Sequence, residues 1–175
     1  MSITNTTVPF LPLATINTTI NIPSIPPAFV WPTVKAMDRW HRFQDIFKVE
    51  LVHRSFDEPE PIVEVGQEIH ITTDFPLTEQ ETLEEYNEII TDRKICWTLK
   101  GFIVFYILTV PSPPDILRTA RCIELFDNGS GGTELHNWIS YAGIMWPVVI
   151  TATGSTTEHL FNDFNEALLQ FLTSP

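Results

Sequence analysis

The hydropathy period of this chain changes once, near its C-terminus, and that single change limits the folds open to it. Up to Tyr141 the apolar residues mostly recur at alternate positions. After Ser155, Leu160, Phe161, Phe164, Leu168 and Phe171 recur at helical spacing, and no stripe of that length comes earlier. Alternation marks half-buried strands, and the 3.6-residue recurrence marks an amphipathic helix. A sheet with one apolar face needs a cover, and only the last segment is long enough to supply it. Ser155 and Glu158 have capping-box spacing, so the helix is expected to begin there, with a turn or two from Pro147 kinked at Gly154.

The strands can be placed in turn. Residues 15–22 alternate Ile16, Thr18, Ile20 and Ile22 with Asn17, Thr19 and Asn21. Pro26 or Pro27 then opens a short helix to Met37, shortened or kinked at Pro32, and Asp38 caps a second one running to about Gln44. Further strands are expected over 46–53, 67–75, 82–90, 94–100, 115–126 and 133–141, with an acidic, proline-rich loop at 57–61. The run Asp127-Asn128-Gly129-Ser130-Gly131-Gly132 is a hairpin turn. About seven antiparallel strands, two short helices after the first and one long C-terminal helix make an α+β helix-grip arrangement. Residues 1–14 are expected to form a loose leader and 15–175 a single domain.

Composition narrows the partners. At 175 residues, 43% hydrophobic and 18% charged, the chain has a globular composition and is long enough to enclose a cavity in its core. A net charge of −12 excludes a nucleic-acid surface, which needs clustered Lys and Arg, and disfavours anionic lipid. The start of the chain lacks a basic residue before its apolar stretch and is a poor signal peptide. The apolar run 101–110 is too short to span a bilayer and is expected to be a lid, a dimer contact or an exposed patch. Asn5, Asn17 and Asn128 lie in N-x-[ST] patterns, which matter only in a secreted chain. Cys96 and Cys122 are too few for a disulfide scaffold, and are expected to be buried thiols of a cytoplasmic protein.

Four stretches resemble the START/Bet v 1-like (SRPBCC) superfamily, within it the polyketide cyclase/dehydrase and lipid-transport group and its small fungal-type members. Val30-Trp31-Pro32 through Asp38-Arg39-Trp40-His41-Arg42-Phe43-Gln44 resembles the helix pair of that group, and Lys94-Ile95-Cys96-Trp97 its strand after a tight turn. The stretch from Ile116 to Leu125 resembles the next strand. Gly132-Thr133, Trp138 and Gly143 resemble the return strand before the last helix. Two positions depart from the pattern: Gln44-Asp45 replaces Asn-Pro, and Ile139 replaces an acidic or polar residue. The resemblance covers roughly residues 16–172. It implies a cavity for a polyketide, terpenoid or lipid, and a cofactor-free cyclase, dehydratase or isomerase, or else a non-catalytic carrier, as a monomer or homodimer.

For chemistry, the five histidines show no metal-ligand spacing, so no metal or other cofactor is expected. His53 continues the apolar face of its strand and, with Tyr86, is the expected proton-transfer group. Arg118 is the expected electrostatic stabiliser. Arg118 and Glu124 share a face, while Arg121 points to the other. On the last strand the inward face holds either His136, Trp138 and Ser140 or Asn137, Ile139 and Tyr141, and the sequence leaves both open. The expected cavity wall draws Trp31, Trp40, Gln44, Phe47 and Leu51 from the first part of the chain, then Ile71, Trp97 and Phe105 from the middle strands. Trp138, Tyr141, Trp146 and Val149 complete it.

Overall fold

A computed structural model describes residues 12–52, 62–75, 78–104, 108–113 and 115–174. Its elements follow the hydropathy pattern: β1 (Ala14–Ile22), α1 (Pro27–Lys35), a 3-10 helix (Met37–Arg42), β2 (Phe47–Leu51), β3 (Glu68–Phe75), β4 (Thr78–Ile90), β5 (Lys94–Val104), β6 (Leu108–Pro111), β7 (Arg118–Asp127), β8 (Thr133–Ala142) and α2 (Trp146–Thr173). The strands form one antiparallel sheet in the order β1-β8-β7-β5-β4-β3-β2, with β6 paired to β5. On its inner face the sheet holds α2, which packs on β1 and β8, while α1 packs against β7 and the 3-10 helix against β2. This is the helix-grip fold.

Three expectations about local structure need correction. The final helix does not start at Ser155: it runs unbroken for 28 residues from Trp146, with Pro147 in its first turn and Met145 before it. Proline at a helix start sets the backbone angle without sacrificing a bonded N–H, and it outweighs the capping-box signal eight residues later. The first short helix ends at Lys35 rather than Met37, and Asp38 lies inside the 3-10 helix rather than capping it. The described parts of the apolar run 101–110 pair antiparallel as β5 and β6, with Gly101 opposite Pro111 and Phe102 opposite Val110, which adds an eighth strand. Only Gly fits at 101, because a Cβ there would sit 2.6 Å from the Val110 carbonyl oxygen.

The cysteines are the fourth correction. Cys96 on β5 and Cys122 on β7 are directly opposed in register, with Cα atoms 4.2 Å apart, and they form a disulfide rather than two thiols. Counting cysteines could not reveal a pairing that depends on strand register. Disulfides are rare in the cytosol, so the cytoplasmic placement loses the support that free thiols would have given it. Among the described residues no helix is long and apolar enough to cross a membrane.

The core is zoned along α2. Toward its C-terminal end, Phe161, Phe164 and Leu168 pack with Trp40, Phe43 and Phe47, with Trp40 and Phe164 centred 4.7 Å apart. One buried polar network ties the helix to the sheet. Asn165 Nδ2 donates to Thr18 Oγ1 at 3.0 Å, and Asn137 Nδ2 donates to Asn165 Oδ1 at 3.4 Å. Toward its N-terminal end the helix and sheet diverge and leave a space.

Candidate functional site

That space is a cavity of about 300 Å³, bounded by β2, β3, β4, β5, β7 and β8 on the sheet side and by residues 148–161 of α2 on the other. Most of its wall is apolar. Phe47, Ile71, Phe75, Leu99, Phe102 and Leu117 meet Ile139, Val148, Val149, Leu160 and Phe161. Volume and lining suit a small apolar ligand.

Strand parity decides which polar groups enter. On β7 the residues at odd positions face α2: Leu117, Thr119 and Arg121 line the cavity, and Ile123 and Leu125 continue into the core. On β8 the inward set is Asn137, Ile139 and Tyr141. On β4 the alternation runs unbroken through Gln80, Thr82 and Glu84, which all line the cavity; the bulge opposite Leu83 and Glu84 places its extra residue, Lys100, on β5. Arg121, Glu84 and Tyr141 thus meet from three strands.

Arg121 is 6% exposed and packs against two rings, its guanidinium carbon 4.1 Å from the centroid of Phe47 and 4.3 Å from that of Phe161. Trp97 is 5.3 Å away. Nε and Nη2 are both buried and have no hydrogen-bond partner. Burial pulls this guanidinium down to about 10, against the opposing pull of Glu84 and Tyr141, so it remains cationic at neutral pH. Glu84 is partly open, but toward the cavity rather than bulk water, and that desolvation raises its carboxyl above the usual range. The Thr82 hydroxyl, donating to Oε1 at 2.8 Å, and the Arg121 charge offset part of the rise. Burial also raises the Tyr141 phenol, with Thr157 and Arg121 opposing. Among the described residues no group of three or more His, Cys, Asp or Glu side chains could hold a metal ion.

Of the residues expected at the site, Phe47, Ile71, Tyr141 and Val149 line the cavity. His53 and Phe105 lie outside the described residues. Tyr86 is fully buried beneath the 3-10 helix, its hydroxyl donating to Met37 Sδ at 3.1 Å, and does not reach the cavity. Burial raises its phenol, and the Asp38 and Glu84 charges raise it further. Arg118 sits at an even position of β7, on the opposite face from the cavity. Trp40 and Trp97 are core, the Trp40 indole donating to the Val34 carbonyl at 3.2 Å. Trp31 and Leu51 pack in or beside that core. Gln44 clamps the start of β2, donating to the Phe47 carbonyl and accepting from its amide. Trp138 lies on the outer face of β8, and Trp146 begins α2 outside the cavity wall. Arg121, Glu84 and Thr157 were not singled out. An arginine amid the apolar alternation of 117–125 was the available signal for the first, and for Glu84 it was the strand parity shared with Thr82 and Tyr86.

No protein-family model and no curated protein matches the sequence. Solved structures do. A START superfamily protein from Mycobacterium smegmatis superposes with a TM-score of 0.62 at 12% identity, over 91% of this chain and 99% of that one. Protein jhp0584 from Helicobacter pylori gives 0.65 at 10%, over 97% and 99%. Ara h 8.0201, of Bet v 1 type, gives 0.55 at 12%, over 93% and 99%. The chain therefore has the START/Bet v 1-like fold.

Proposed function

We propose that this chain binds a hydrophobic small molecule in the cavity beneath the N-terminal half of α2 and acts on it without a cofactor, as a cyclase, dehydratase or isomerase of polyketide- or terpenoid-type secondary metabolism. The observation that carries this reading is the convergence of Glu84, Arg121 and Tyr141 on a mostly apolar cavity. Buried ionisable groups displaced from their ordinary pKa values in a cleft favour proton-transfer chemistry over storage. Arg121 offers two preplaced N–H groups to an oxygen that gains negative charge, such as a developing enolate, and the apolar wall excludes the water that would screen that interaction. Glu84, with a carboxyl poised above the usual range, moves the proton, and Tyr141 donates a hydrogen bond. The START/Bet v 1-like fold supports the binding of a hydrophobic ligand; the reaction rests on the side chains alone.

The second reading, a non-catalytic carrier, is favoured by the cavity rim. Val148 lines the cavity and is 58% exposed. Exposed apolar groups at a mouth suit hand-over from another hydrophobic surface. The deciding experiment is native mass spectrometry of the protein purified from its own cells, followed by extraction of whatever it retains. A cyclic metabolite or its linear precursor supports the enzyme. Ordinary fatty acids or sterols, returned unchanged, support the carrier. A protein that retains nothing and takes up no hydrophobic probe refutes both.

A further inference from the structure

The two unpartnered donors of Arg121 are not an arbitrary pair. Nε–H and Nη2–H lie side by side on one edge of the guanidinium and point the same way, which is the fork that accepts a carboxylate through two parallel hydrogen bonds. Phe47 and Phe161 pack against the group at 4.1 and 4.3 Å, and with their centroids 6.3 Å apart they lie on adjacent sides of it rather than on opposite faces. A single carbonyl oxygen would fill one donor well and leave the other without a full partner. A phosphate dianion would need more positive charge than this site has, since Arg121 is the one cationic side chain among the described lining residues.

We propose that the molecule taken by this cavity is an apolar acid, its carboxylate held edge-on by Nε and Nη2 of Arg121, and that Glu84 takes up a proton when it binds. This inference rests on the cavity being the ligand site. The proton follows from charge balance. Facing the site are Arg121 from β7, Glu84 from β4 and Tyr141 from β8, while the described lining residues of β2, β3, β5 and α2 bring no charged group. With Glu84 ionised, one cation already balances one carboxylate, and a second carboxylate in the same desolvated space drives one of the two to protonate. The buried carboxyl of Glu84, already raised by desolvation and hydrogen-bonded to Thr82, is the one placed to do so. Binding therefore weakens as pH rises, because the proton becomes harder to recruit.

The test is isothermal titration calorimetry of the full chain with two matched sets of probes: octanoic acid, octanol and methyl octanoate, then naphthylacetic acid and its methyl ester. Each is run in two buffers of different ionisation enthalpy, which reveals protons taken up or released. Within at least one set the acid is expected to bind about tenfold or more tighter than its neutral partners, with a net proton uptake. Arg121→Met abolishes that preference, and Arg121→Lys, which keeps the charge but not the fork, restores only part of it. Glu84→Gln removes the proton uptake and flattens the pH dependence. Neutral probes binding the wild-type chain as tightly as the acids would overturn the inference and leave the cavity reading standing. No probe of either set binding would overturn both. Acid preference without proton uptake would overturn the role of Glu84. The wild-type comparison decides the main point even if a variant fails to fold.

Discussion

Arg121 is a buried cation that the free protein does not fully compensate, so replacing it with an apolar residue should stabilise the empty protein. Burial lowers its pKa to about 10, well below the ordinary guanidinium value. At about 1.4 kcal/mol per pH unit, holding the charge inside costs about 3 kcal/mol. The rings of Phe47 and Phe161 return part of this, about 1–2 kcal/mol for two desolvated cation–π contacts. Methionine fills similar length with an unbranched, adaptable chain. Arg121→Met should therefore gain about 1–2 kcal/mol, a rise in Tm of roughly 2–8 °C for a chain of this size. The folded state holds this proton less tightly than the unfolded chain does. The cost is thus fully present below about pH 10 and is relieved as pH climbs beyond that value, so the gain from the substitution should shrink there. Urea unfolding of ligand-free protein at neutral pH and again above pH 10 measures both points. A variant less stable than wild type by about 1 kcal/mol or more at neutral pH would mean that Arg121 is satisfied within the fold, and the argument for a ligand fork would fall with it.

Other expectations follow from the same structure. Glu84→Gln should flatten the pH dependence of stability: a carboxyl raised in the folded state favours folding below its unfolded value near 4.3, and that advantage is lost as pH rises through the folded value. Unfolding curves for wild type and variant that stay parallel from pH 4 to 8 would contradict this. Reducing the Cys96–Cys122 disulfide, which closes 26 residues of sequence separation, should lower stability by about 3 kcal/mol, read as a shift in the urea midpoint with and without reductant. Asn165→Leu strips Thr18 and Asn137 of their buried partner on α2 and should cost about 2–3 kcal/mol by the same assay, whereas Asn162→Leu, at an exposed position one turn earlier, should change stability little. Leu160→Trp should fill the cavity and abolish uptake of a hydrophobic probe while leaving the far-ultraviolet circular dichroism intact.

The fold was legible because it depends on periods and breaks. Ile16 to Ile22 alternate cleanly, the Asp127–Gly132 turn can hardly be anything else, and the stripe from Leu160 to Leu168 faces the sheet as its spacing requires. What failed were features set by competition between local signals. Pro147 and Ser155 both offered a start for α2, and the proline prevailed because the helix gains two and a half turns by beginning there. The disulfide depends on Cys96 and Cys122 falling opposite one another across β5 and β7, a register that neither strand encodes alone.

The candidate site was less legible for a reason that applies to sheets of this kind. Alternation tells which residues share a face, and it correctly set Arg118 with Glu124 and apart from Arg121. Choosing between the faces requires knowing which one the helix covers. For β7 the choice could have been made from solvation alone. Arg118 is flanked on its own face by Ala120, Cys122 and Glu124, a mixed set that tolerates water, whereas Arg121 shares its face with Leu117, Ile123 and Leu125, which do not. An arginine embedded in an apolar face has no solvent to serve and must find its partner inside the fold or in a ligand. In this protein the fold packs two aromatic rings against the guanidinium and gives Nε and Nη2 no hydrogen-bond partner. That unfilled edge, more than the shape of the cavity, is what distinguishes a site for an apolar acid from a pocket for any greasy molecule.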